Sequence, residues 1–111
     1  MKHELLPASL RAILPPLYAT EKVECQMVVA KYFTPNGNWT WYVVEGNPID
    51  ADDEAIALDD TETVEADFIF YGLVDGHEKE QGYFKLSELE TCWIERDLYW
   101  RPRPLHELTR D

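Results

Sequence analysis

Two runs rich in Val, Tyr, Phe, Thr and Trp, on either side of Thr34, Pro35, Asn36, Gly37 and Asn38, dominate the hydrophobic pattern of this chain. β-Branched and aromatic residues suit a pleated, half-buried surface. Gly37 takes positive φ without steric cost and Pro35 presets φ, so Met27 to Glu45 predicts a β-hairpin. On the second arm Trp39, Trp41 and Val43 share one face and Tyr42 and Val44 the other; on the first, Lys31 and Phe33 alternate with Tyr32.

Upstream, apolar side chains at 6, 10, 13 and 14 give the spacing of a helix with one buried face over residues 5 to 14. Pro7 suits its first turn, and Pro15 with Pro16 stops it. Downstream of the hairpin, Gly46, Asn47 and Pro48 predict a break. The polar stretch from Asp50 to Asp67 then predicts mainly loop, with room for a helical turn or two behind Asp50. Asp67 to Val74 is apolar on both faces, as in a covered central strand, and Gln81 to Leu86 returns as the next strand after a polar turn. Ser87 followed by Glu90 matches a capping box and predicts a short helix from Ser87. Ile94 to Trp100 alternates as an edge strand with Ile94, Leu98 and Trp100 inward; Pro102 and Pro104 end it, and Leu105 to Leu108 predicts a last helical turn. The sum is an α+β fold: an antiparallel meander of about five strands, an N-terminal helix packed on one face and short C-terminal helices.

At 111 residues the chain makes one domain. An apolar content of 45% marks a folded protein, so its formal charge of -12 has to decorate a surface. That charge is concentrated. Residues 45 to 95 hold sixteen acids and two bases, whereas both flanking segments hold four bases and three acids. Such a potential repels phosphates and attracts basic surfaces, which argues against direct nucleic-acid binding. Neither a signal peptide nor a membrane span is recognisable, so a cytoplasmic protein with reduced thiols is expected, Cys25 and Cys92 being buried small hydrophobes.

The candidate chemistry is thin. Asp50, Asp52 and Glu54 have the spacing that opens a calcium loop, but Ala55 stands where glycine is needed and Thr61 where the bidentate Glu belongs. His3, His77 and His106 each precede a Glu with no second His at metal spacing. Ser9 and Ser87 lie in no nucleophile elbow, and Gly72, Gly76 and Gly82 form no phosphate loop. No catalytic residue, metal ligand or cofactor is assigned.

The segments Leu14 to Thr20, Phe33 to Pro35, Trp39 to Tyr42, Phe70 to Gly76, Gly82 to Glu90 and Glu95 to Tyr99 together resemble an uncharacterised bacterial family, a domain of unknown function. Its members are small proteins met on plasmids, phages and integrative conjugative elements, often near anti-restriction genes. The connection between the Ser87 to Glu90 and Glu95 to Tyr99 motifs is shorter here, only Thr91 to Ile94. The resemblance implies a mobile-element setting and carries over no catalytic residues.

Two functional classes follow. The first is a non-enzymatic acidic interaction module, with Asp50, Asp52, Asp53, Glu54, Asp59, Asp60, Glu62 and Glu65 forming an acidic face against a basic protein surface. A nucleic-acid enzyme blocked in counter-defence, by anti-restriction or DNA mimicry, is one such partner. The second is a small enzyme or ligand-binding domain with a pocket beside the hairpin lined by Lys31, Trp39, Glu45, Tyr83 and Arg96. The protein is expected to be a monomer or, through the Ile94 to Trp100 edge, a homodimer.

Overall fold

The computed structural model describes residues 4–109; the expectation for His3 lies outside them. In chain order the elements are α1 (Ala8–Ile13), β1 (Met27–Val28), β2 (Ala30–Phe33), β3 (Thr40–Ile49), β4 (Asp67–Asp75), β5 (Lys79–Lys85), α2 (Leu86–Glu90), β6 (Glu95–Arg96), β7 (Arg103–Pro104) and α3 (Leu105–Thr109). The fold is α+β and mostly strand. A five-stranded antiparallel sheet runs in the order β5-β4-β3-β2-β6, and β1 pairs with β7 in a separate two-stranded ladder. Four strands follow one another as a meander. The fifth departs from it: β6 crosses to the far edge and pairs with β2, Tyr32 opposite Arg96 and Phe33 opposite Glu95.

Apolar side chains cover both sheet faces. On one, Leu5, Leu6 and Leu10 from the N-terminal segment meet Tyr32, Val43, Phe70 and Phe84, with Leu89 of α2 and Ile94 closing the layer. The Tyr32 hydroxyl, buried there, donates to the Leu5 carbonyl at 2.5 Å. On the other face Val28, Val44 and Leu73 pack with Leu105 of α3, Tyr42 and Trp100. The alternation of the hairpin therefore sorts its side chains as the sequence implied, Trp41 and Val43 to one core and Tyr42 and Val44 to the other.

Several expectations are overturned. Gly46, Asn47 and Pro48 do not break the strand; β3 runs through them to Ile49. A Cβ at Gly46 would lie 2.5 Å from the Phe68 ring, so glycine is what this close approach demands. The Gly46 amide points away from β4, to the Pro15 carbonyl at 2.9 Å. Two residues on, the Pro48 nitrogen faces the same way, where β2 no longer runs, and costs no ladder bond. Ser87 is no cap. Helix α2 begins at Leu86 without a side-chain cap, and the Ser87 hydroxyl donates instead to Asp67. The edge strand is only Glu95–Arg96, because Asp97 turns the chain, its Oδ1 accepting the Tyr99 amide at 2.9 Å; Leu98 then faces solvent. Arg103 and Pro104 end nothing: they pair with Val28 and Met27. Helix α1 starts at Ala8, and Ile13 is exposed on it. Cys25 and Cys92 are both exposed thiols, since neither is drawn into a core that aromatic and branched side chains already fill.

Candidate functional site

Two neighbouring features at the Ile49 end of the sheet gather most of the polar groups singled out above. The first is the segment between β3 and β4, which forms no helix. Its backbone is tied to the sheet at two points: the Ile56 amide donates to the Pro48 carbonyl and the Ala66 amide to the Ile49 carbonyl, each at 2.9 Å. Ile56 is buried, and its carbonyl accepts the Asn47 side-chain amide at 2.9 Å. Within the segment, Asp50 Oδ1 accepts the amides of Asp52 and Glu54, and Asp60 Oδ1 those of Glu62 and Thr63, two aspartate-capped turns. The Thr63 hydroxyl and these amides hold the Asp60 carboxyl below the usual range.

Anchoring by backbone and by Ile56 leaves every acidic residue of the segment exposed except Asp50, which is half-buried. Asp53 pairs with Lys85 at 3.0 Å and Glu65 with Arg11. Asp52, Glu54, Asp59 and Glu62 are exposed and form no ion pair with a described residue. Leu58 and Val64 stand among them 81% and 82% exposed. Among the described residues, no three His, Cys, Asp or Glu side chains converge as a metal site.

The second feature is built on a β-bulge. The β3 register against β4 shifts between Val43 and Glu45, and the extra residue turns Val44 and Glu45 to the same side, toward Leu73 and Tyr71. Glu45 is thus buried, 3% exposed, and satisfied by the connector that precedes the hairpin. Oε1 accepts the Tyr18 amide and Oε2 the Thr20 amide, both at 2.8 Å, and the Thr20 hydroxyl donates to Oε2 as well. Asn47 Oδ1 accepts the Leu17 amide at 3.1 Å. These bonds hold Tyr18 at φ 70°, a left-handed backbone that a bulky residue adopts only when its surroundings impose it.

The consequence is a cleft of about 350 Å³ lined by Tyr18, Glu21, Gln26, Glu45, Tyr71, Gln81 and Tyr83. The Tyr71 and Tyr83 rings lie 5.2 Å apart, and the Tyr71 hydroxyl donates to Gln81 Oε1 at 2.7 Å. A hydrogen bond with Tyr18, then burial and nearby negative charge including Glu45, push the Tyr83 phenol up to about 12. Tyr18 and Tyr83 also wall an adjoining recess that reaches Asp53 and Glu54, so the cleft opens toward the acidic segment.

Of the pocket residues inferred from sequence, Glu45 and Tyr83 come together in this cleft, and the other three lie elsewhere. Lys31 extends over Trp100, with Nζ 6.0 Å from the ring centroid. Trp39 stacks on Trp41 and meets His77 edge-on. Arg96 donates to the Glu4 carbonyl at 3.1 Å. Sequence reasoning missed Tyr18, Glu21, Tyr71 and the two glutamines. Tyr71 and Tyr83 were open to detection as same-face positions on adjacent strands, but no local signal announced the bulge or the return of Tyr18. Among the described residues no helix is long and apolar enough to cross a membrane. Comparison of the chain with protein-family models, curated proteins and solved structures finds no match.

Proposed function

We propose that this protein is a non-enzymatic interaction module whose acidic segment, residues 50–66, docks on a basic protein surface. The observation that carries the reading is the contrast between a backbone pinned to the sheet at Ile56 and Ala66 and carboxylates that are, Asp50 apart, exposed. A segment already ordered loses less conformational freedom on binding than a flexible acidic tail would. The exposed Leu58 and Val64 add apolar anchors among the charges, and neutralisation is slight, since among the described residues only Asp53 and Glu65 of the eight acids at issue pair with a base.

Carboxylates spaced on a rigid surface compete with phosphates for a nucleic-acid groove. The resemblance to proteins of mobile elements makes a host defence nuclease the partner of choice, with counter-defence the biological outcome. The test is a pull-down at low salt from the native host, followed by salt titration of the captured protein. Binding that weakens steeply as salt rises supports the module; binding indifferent to salt refutes it. The cleft at Glu45 favours a second reading, a ligand-binding domain, with its opening beside the same segment.

A further inference from the structure

The cleft beside the bulge has a chemistry of its own, independent of whether residues 50–66 bind a protein. Its seven lining residues include two carboxylates, three phenols and two amides, and no Lys or Arg. An anion would meet only negative charge there. A cation would meet the rings of Tyr18, Tyr71 and Tyr83 together with the field of Glu21 and Glu45, the combination that favours ammonium groups over neutral ligands of equal size.

The hydrogen-bonding pattern narrows the class. Gln26 Nε2 donates to the Thr20 hydroxyl at 3.0 Å, which leaves its Oε1 as an acceptor. Tyr71 spends its proton on Gln81, so its oxygen is an acceptor too. With the exposed Glu21 carboxylate, these acceptors suit a group with several N–H donors and a short alkyl stem that lies along the rings. We propose that this cleft binds a primary alkylammonium group, either that of a free amine or that of a lysine side chain.

The site is largely formed in advance. Glu45 is fixed by three donors from the connector, and Tyr18 is locked by the same bonds, so the walls need no folding step on binding. The volume of about 350 Å³ admits a four- or five-carbon amine with some water.

The experiment is a titration of the whole protein with n-butylammonium chloride at constant ionic strength, followed by amide NMR. Saturable shifts confined to the neighbourhood of Tyr18, Gln26, Glu45, Tyr71 and Tyr83 are expected, with none from butan-1-ol. Tyr83→Ala, at a half-exposed position, should weaken binding about fivefold, and Glu21→Gln should weaken it less, both without loss of fold. A titration with Nα-acetyl-lysine methylamide separates the sources: equal affinity assigns the site to free amines, and clearly tighter binding assigns it to a lysine presented by a protein. No saturable shift, equal shifts from butan-1-ol or sodium chloride, or undiminished affinity in both variants would overturn the proposal. Because residues 50–66 take no part in this titration, its failure leaves the acidic-module reading intact.

Discussion

Glu45 Oε1 accepts the backbone amide of Tyr18 at 2.8 Å across 27 residues of chain, and this bond, with those from Thr20 to Oε2, ties the bulge in β3 to the left-handed turn that precedes the hairpin. Neither irregularity is stable in isolation. A buried carboxylate without donors is expelled to water, and a tyrosine at positive φ relaxes unless held.

Glu45→Gln places an amide NH₂ where one of the connector donors now bonds, and should destabilise the fold by about 2–4 kcal/mol. Urea unfolding measures the loss. Hydrogen exchange should accelerate first at the Tyr18 and Thr20 amides, ahead of the β3–β4 ladder.

Gly72 and Gly82 sit opposite each other on β4 and β5 yet should respond differently to a methyl group. A Cβ at Gly72 would fall 1.8 Å from the Tyr42 carbonyl oxygen, whereas one at Gly82 meets no atom of the described residues within 4 Å. Gly72→Ala is expected to cost about 3 kcal/mol or more through displaced backbone. Gly82→Ala should stay within about 1 kcal/mol of the parent. Thermal unfolding of the two variants makes the comparison.

Asp67 links β4 to α2. Partial burial works to raise its carboxyl, but the Ser87 hydroxyl, the Phe68 and Ser87 amides and the Lys85 charge prevail and hold it below the usual range. A depressed carboxyl stabilises the fold fully above its unfolded value of about 3.9 and ceases to do so as pH falls through its folded value. The stability difference between the parent and Asp67→Asn should therefore be constant from pH 7 to about 5 and shrink toward zero below about pH 4. Urea unfolding at several pH values gives the difference directly. A difference that grows with acid would contradict it.

Cys25 and Cys92 lie in the open. Both thiols should react with a disulfide reagent such as DTNB in the native protein, with no denaturant added. A requirement for denaturant would place them in a core.

The strands were legible because their signal is local: β-branched and aromatic residues between Ala30 and Phe33, Thr40 and Val44, and Phe68 and Val74 alternate with the sheet. What could not be read depends on groups distant in sequence. Gly46 and Pro48 look like breakers until Phe68 is seen to need the space at one and, among the described residues, no strand pairs on the side that the nitrogen of the other faces. Ser87 and Glu90 carry a capping pattern, but Asp67, twenty residues earlier, offers the serine a charged acceptor that wins. The bulge at Val44 shifts every later residue of β3 by one place relative to β4, so strict alternation could not foretell that Glu45 turns inward. Likewise the acidic loop was visible as composition, while its fixed backbone, sealed by Ile56, was not.

One comparison tests most directly the proposal that residues 50–66 present ordered charge to a basic partner. The affinity of the parent and of the variant Asp52→Asn, Glu54→Gln, Asp59→Asn, Glu62→Gln for the partner captured from the host is measured between about 50 and 500 mM salt. These four side chains carry no ion pair with a described residue, so the fold should survive their neutralisation. The parent should lose about tenfold or more in affinity across that range, and the variant should start weaker and lose less. Equal affinities and equal salt slopes for the two proteins would contradict the account.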